Sequence, residues 1–150
     1  VLCVVFVVIR RWPRSEMGRS SETSKGKKRK GIRYKREKIR KIFLDNKLNI
    51  VDSKKIQISK VEAEKFYKVH QTKPFYEKLC SYLSSGPIIA IILDGENAIQ
   101  KNRDLMGATD PKKAKDGTIR KLYGISIDKN SVHGSDSPEN AKAEIDFFFN

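Results

Sequence analysis

Pro87-Ile-Ile-Ala-Ile-Ile-Leu93 has no polar side chain at any position. So short and so apolar a run predicts a buried strand at the centre of a sheet. The rest of the chain must then supply the elements that cover it. From Glu37 the pattern turns helical, with Ile39, Ile42 and Phe43 on one face. Leu48–Ile58 reads as a second strand. Ser59 and Glu62 form a capping-box signature for a helix running to about His70. A further helix is expected from about Pro74 to Leu83, ended by Gly86, and another from Glu96 to Met106, stopped by Gly107. Gly107–Lys121 has no core pattern, and a loop of that length in a small domain is usually functional. Leu122–Ile127 is expected as the next strand, and a helix after Ser137 closes the chain. Helices interleaved with strands in this way give an α+β sandwich.

The front of the chain is different. Residues 1–41 contain fifteen Lys or Arg and three Glu, so most of the formal net charge of +14 sits there. The remainder is nearly balanced. Val1–Ile9 is apolar but too short to span a bilayer. Arg14–Arg36 is rich in Ser, Gly, Lys and Arg and reads as disordered or as an inserted loop. Residues 1–36 are therefore taken as an irregular basic segment with a possible first strand at 3–9, and residues 37–150 as the folded domain. Cys3 and Cys80 make neither a disulfide framework nor a metal site, and two histidines without nearby cysteines argue against zinc. A reducing, cytoplasmic setting is expected.

Asn130-Ser-Val-His-Gly-Ser-Asp-Ser-Pro138 places His133 in a polar loop just ahead of a helix start. Ser137 can cap that helix, and Pro138 suits its first turn. Gly134 removes bulk beside the ring, while Ser135 and Asp136 offer polar partners. Such a histidine is close to neutral at cell pH and can act as a nucleophile or proton carrier.

That segment resembles the active-site stretch of nucleoside diphosphate kinases. The resemblance continues through Tyr67, Lys73-Pro-Phe-Tyr76, Ser85-Gly-Pro87, Asn102-Arg103, Met106-Gly-Ala-Thr-Asp-Pro111 and Gly117-Thr-Ile-Arg120, and forward to Glu144 and Phe148. It covers roughly residues 37–149. The family implies a ferredoxin-like βαββαβ core with a four-stranded antiparallel sheet. It also implies ping-pong transfer of the γ-phosphate from a nucleoside triphosphate such as ATP to a nucleoside diphosphate, through a phosphohistidine on His133.

The resemblance assigns the remaining roles. Arg103, Thr109 and Arg120 become phosphate contacts, a task suited to guanidinium forks and hydroxyls. Phe75 becomes the platform for the nucleobase, with Leu79 one turn further on, and Asn130 the contact to the ribose hydroxyl. Tyr67 lies near the histidine. Glu144 hydrogen-bonds one imidazole nitrogen and leaves the other to attack, and Ser135 bonds to that carboxylate. Mg²⁺ is expected on the nucleotide phosphates, because no dedicated carboxylate cage is visible. Family members assemble as hexamers or tetramers, so a homo-oligomer is expected.

One family feature is missing. Members open with a strand ending in Lys-Pro-Asp, whose lysine reaches the substrate phosphates, and no Lys-Pro-Asp occurs here. Ungapped matching puts Lys27 at that position. The alternative makes Phe6–Ile9 the strand, with Arg10 in the lysine's place and an insertion after it. A third reading takes the front as a truncated or misread gene end. Function is correspondingly open to three readings: an active kinase, an impaired nucleotide-binding relative, or a binder of nucleic acid through Lys25–Lys41. Binding of that last kind is expected to be weak and salt-sensitive.

Overall fold

The computed structural model describes residues 2–8, 24–127 and 129–150 of the chain. Ten elements follow in order: β1 (Leu2–Val8), α1 (Ser24–Asp45), β2 (Asn49–Ile56), α2 (Lys60–Phe66), α3 (Tyr76–Ser84), β3 (Ile88–Asp94), α4 (Ala98–Met106), α5 (Ile119–Tyr123), β4 (Val132–Gly134) and α6 (Pro138–Phe149). A 3-10 turn, Lys68–His70, follows α2. The four strands form one sheet in the order β2-β3-β1-β4, with every neighbouring pair antiparallel. This is the expected ferredoxin-like α+β arrangement.

β3 lies inside the sheet and is buried along nearly its whole length. Its alternation divides the core. Ile89, Ile91 and Leu93 join Cys3 and Val5 of β1 under Ile39 and Phe43 of α1, and under Ala98 and Met106 of α4. Ile88 and Ala90 join Val4 on the other face, under Ala63, Tyr67, Cys80, Leu83 and Phe148. Both faces of a two-sided apolar sheet are thus covered by helices, which removes from water the surface that favours folding most.

The apolar front segment has a definite place. β1 pairs with β3 from Leu2↔Asp94 to Val8↔Ile88, and with β4 at Val5↔Gly134, Phe6↔His133 and Val7↔Val132. Arg10, one candidate for the missing lysine's position, lies outside the described residues.

Four expectations need correction. Residues 24–36 belong to the 22-residue helix α1 and are not a disordered or inserted loop. Lys and Arg are good helix formers, so a shortage of large apolar residues does not prevent a helix. Leu122–Ile127 is not a strand. Its first two residues end α5, and Leu122, Ile125 and Ile127 are exposed. The last strand is instead β4, because Val132 brings the one fully buried apolar side chain to the β1 edge. His133 consequently stands on a strand and not in a loop. The expected helix to His70 also breaks after Phe66 and continues as the 3-10 turn.

Candidate active site

β4 is only three residues long, yet its alternation decides what faces where. Val132 packs into the core with α4, and a Cβ on Gly134 would lie 2.2 Å from Asn102 Nδ2 and 2.8 Å from Met106 Cε. His133, between them, faces the opposite way. Its ring meets Phe66 and Tyr67 edge-on, at centroid distances of 5.9 and 5.7 Å. A side chain at Gly134 would have to displace the ends of Asn102 and Met106 on α4.

Helix α6 delivers the partner. Ser137 accepts a hydrogen bond from the Asn140 N–H at 3.1 Å, and Pro138 occupies the first turn, as the sequence signals. Ala141, Glu144 and Phe148 form the buried stripe of this helix. Glu144 Oε1 lies 3.3 Å from His133 Nε2. Its other oxygen accepts a hydrogen bond from the Ser135 hydroxyl. Ser135 is itself fully buried and tied to β1: its Oγ accepts from Val4 N–H at 3.1 Å, and its N–H donates to Val4 O at 3.0 Å. A carboxylate acting as acceptor at both oxygens places the imidazole proton on Nε2.

Tyr67 is buried, and its phenol is pushed far above the ordinary range by burial, then by the negative Glu144. It stays protonated and serves as a wall for the ring. Together with Lys65, Phe66, His70, Asp136 and Phe147, these groups border a cavity of about 240 Å³.

A second, larger cleft of about 600 Å³ lies between α4 and the segment leading into α5. Arg103, Thr109 and Arg120 all line it, as do Lys113, Lys115 and Thr118. Gly107 ends α4 with φ of 83°, and a Cβ there would strike Thr118 Oγ1 at 2.5 Å. Arg120 donates to Gly107 O at 2.9 Å and to Val132 O at 3.2 Å. Its Nε is buried and has no hydrogen-bond partner among the described residues. Burial, and then the neighbouring Arg103 charge, lowers the Arg120 pKa from its ordinary value. Two guanidinium groups held this close together favour an anion between them. The cleft and the histidine adjoin, since Arg120 holds the carbonyl just before His133 and its charge acts on Tyr67.

Residues 28–150 match the family model of nucleoside diphosphate kinases. The chain belongs to the nucleoside diphosphate kinase family. It is 57% identical over 107 residues to the nucleoside diphosphate kinase of Wolinella succinogenes, a match covering 71% of this chain and 78% of that one. Among solved structures it is similar to the Aquifex aeolicus nucleoside diphosphate kinase, with a TM-score of 0.79 and 32% identity. That similarity covers 99% of this chain and 94% of the other. The Halobacterium salinarum nucleoside diphosphate kinase in complex with CDP matches at a TM-score of 0.79 and 31% identity, over 100% of this chain and 88% of that one.

For a nucleoside diphosphate kinase the sequence-derived residues fall into three groups. His133, Glu144, Ser135 and Tyr67 come together as one connected unit. Arg103, Thr109 and Arg120 share the basic cleft. Phe75, Leu79 and Asn130 line neither cavity. Phe75 is 43% exposed just ahead of α3, with His70 at a ring distance of 6.0 Å. Leu79 packs against the second core cluster, and Asn130 is half-buried beside Ser131.

Sequence reasoning missed Phe66, His70, Lys113, Lys115 and Thr118. Thr118 had a signal, since it stands inside the quoted Gly117-Thr-Ile-Arg120 motif. The others carry no signal along the chain, because what recruits them is the fold.

Proposed function

We propose that this nucleoside diphosphate kinase works by a phosphohistidine relay on His133. The observation that carries the proposal is the Ser135–Glu144–His133 chain of hydrogen bonds. With the proton on Nε2, the lone pair of Nδ1 attacks the γ-phosphorus of a bound nucleoside triphosphate. The bond from that phosphorus to the β–γ bridging oxygen breaks, and the diphosphate leaves with the electron pair. The ring gains positive charge as the new N–P bond forms, and Glu144, held against Nε2, offsets it. A second nucleoside diphosphate then enters, and an oxygen of its terminal phosphate takes the phosphoryl group back from Nδ1.

The basic cleft supports the phosphate side of this reading. Arg103, Arg120, Lys113 and Lys115 supply charge, and Thr109 and Thr118 supply hydroxyls, where the migrating group spreads negative charge over its oxygens. Phe75 offers a flat apolar surface for the nucleobase, which accepts any base because stacking reads no base edge. Asn130, half-buried just ahead of β4, is assigned the ribose contact by the family resemblance alone. Mg²⁺ belongs to the nucleotide: among the described residues no three His, Cys, Asp or Glu side chains cluster to hold a metal. The ion would supply charge neutralisation on the phosphates and keep much of its water.

A homo-oligomer is part of the same reading, supported by the exposed Val51 and Leu44 at the β2 edge of the sheet and on α1. Among the described residues no helix is long and apolar enough to cross a membrane. The buried free thiols of Cys3 and Cys80 suit a reducing, cytoplasmic setting.

The kinetic test varies ATP against a second nucleoside diphosphate. Parallel double-reciprocal lines are expected of a shuttle through a covalent enzyme. Intersecting lines mean that both nucleotides bind together, and they rule the relay out.

A further inference from the structure

Lys35 lies on α1, within the basic segment, yet it is 7% exposed. It makes no ion pair among the described residues. Its ammonium donates to Ser131 Oγ at 2.8 Å and stands 5.5 Å from the centre of the Tyr123 ring. Ser131 is unusual in turn. It is buried and holds φ of 77°, a left-handed conformation that a residue with a Cβ adopts at a cost. Its hydroxyl passes the contact on, donating to Tyr123 O at 2.7 Å. Ser131 directly follows Asn130 and directly precedes β4, two residues ahead of His133.

A buried charge without a counter-charge destabilises a fold, so a chain gains nothing in stability by keeping one. What this one does is close a lock. The chain Lys35–Ser131–Tyr123 ties α1, the β4 entrance and the end of α5 together at the residue whose backbone turn aims the strand. One position further on, Arg120 grips Val132 O. Two cations thus hold successive residues of the segment that presents His133.

We propose that Lys35 is a positioning residue for phosphoryl transfer, holding Ser131 in its left-handed turn so that β4 presents His133 in register. A charge-assisted hydrogen bond is roughly twice as strong as a neutral one, which suits it to maintaining a strained turn. Among the described residues, the groups at the ammonium are Ser131 and the Tyr123 ring of α5. Neither of these is an acid ionised at neutral pH.

The inference rests on His133 being the phosphorylated residue, and the experiment separates the two. Single-turnover phosphorylation by ATP is followed in the wild type, Lys35→Met, Ser131→Ala and the double variant, with Tm recorded for each. Lys35→Met is expected to slow phosphorylation about tenfold while raising Tm, because misplacement near the reacting atoms is costly and a desolvated charge is gone. Ser131→Ala is expected to slow it similarly, and the double variant no further, since both remove one interaction. A Lys35→Met enzyme with an unchanged rate, a rate loss accompanied by a lower Tm, or losses that multiply in the double variant would each overturn the proposal. Absence of phosphorylation in the wild type would refute the relay itself.

Discussion

Glu144 Oε1 stands 3.3 Å from His133 Nε2, although eleven residues and a change from strand to helix separate the two. The contact exists because Ser137 and Pro138 start α6 at a fixed place, and two turns of helix then return the carboxylate to the ring. Glu144→Gln keeps the shape and removes the charge. Phosphorylation of His133 is expected to slow on the order of 10- to 100-fold, with nucleotide affinity little changed. Rapid-quench rates beside equilibrium binding check the split.

A methyl group at Gly134 would have to push aside two α4 side chains, since a Cβ would lie 2.2 Å from Asn102 Nδ2 and 3.1 Å from Met106 Sδ. Gly134→Ala is expected to destabilise by about 1–3 kcal/mol through overpacking. In a chain of this size each kcal/mol lowers Tm by roughly 2–4 °C. The neighbouring His133 shifts with it, so activity should fall further than the loss of folded protein explains. Thermal melts beside specific activity test this.

Arg120 makes two directed hydrogen bonds that a lysine cannot reproduce from one nitrogen. Arg120→Lys is expected to cost about 1.5–3 kcal/mol of stability, the value of a hydrogen bond from a charged group. It should also raise KM for the triphosphate. Chemical denaturation and steady-state kinetics measure the two effects.

Burial pushes the Lys35 pKa from 10.5 down to about 8. Between those values the unfolded chain binds more protons than the fold, so this residue makes stability rise with pH. Its full cost, on the order of 3 kcal/mol, is present below pH 8 and is relieved as pH climbs towards 10.5. Burial of Cys3 acts in the opposite direction, because its thiol is raised from 9.0 to about 11. The stability difference between Lys35→Met and the wild type therefore carries the signal. It is expected to be largest at pH 7 and to shrink by pH 10 in urea titrations.

Much of the fold is legible along the chain wherever a local rule suffices. The apolar run at 88–93, the capping box at Ser59 and Glu62, and the Ser137–Pro138 start all appear as expected. The last strand was not legible. Its three residues carry too little pattern, and Leu122–Ile127 imitates a strand better than Val132–Gly134 does. Only pairing with β1, 125 or more positions earlier in the chain, distinguishes them. The site divides in the same way. His133, Glu144 and Ser135 stand in one stretch of sequence and were visible there, whereas Lys35 reaches the site from a basic run that resembles solvated surface.

The most direct test of the relay is to mix the protein with γ-labelled ATP, quench within one turnover and look for acid-labile label on the protein. Label on His133 that passes to an added nucleoside diphosphate, and is absent in His133→Ala, is the expected result. Phosphate transfer that persists in His133→Ala, with no labelled protein at any time, contradicts it.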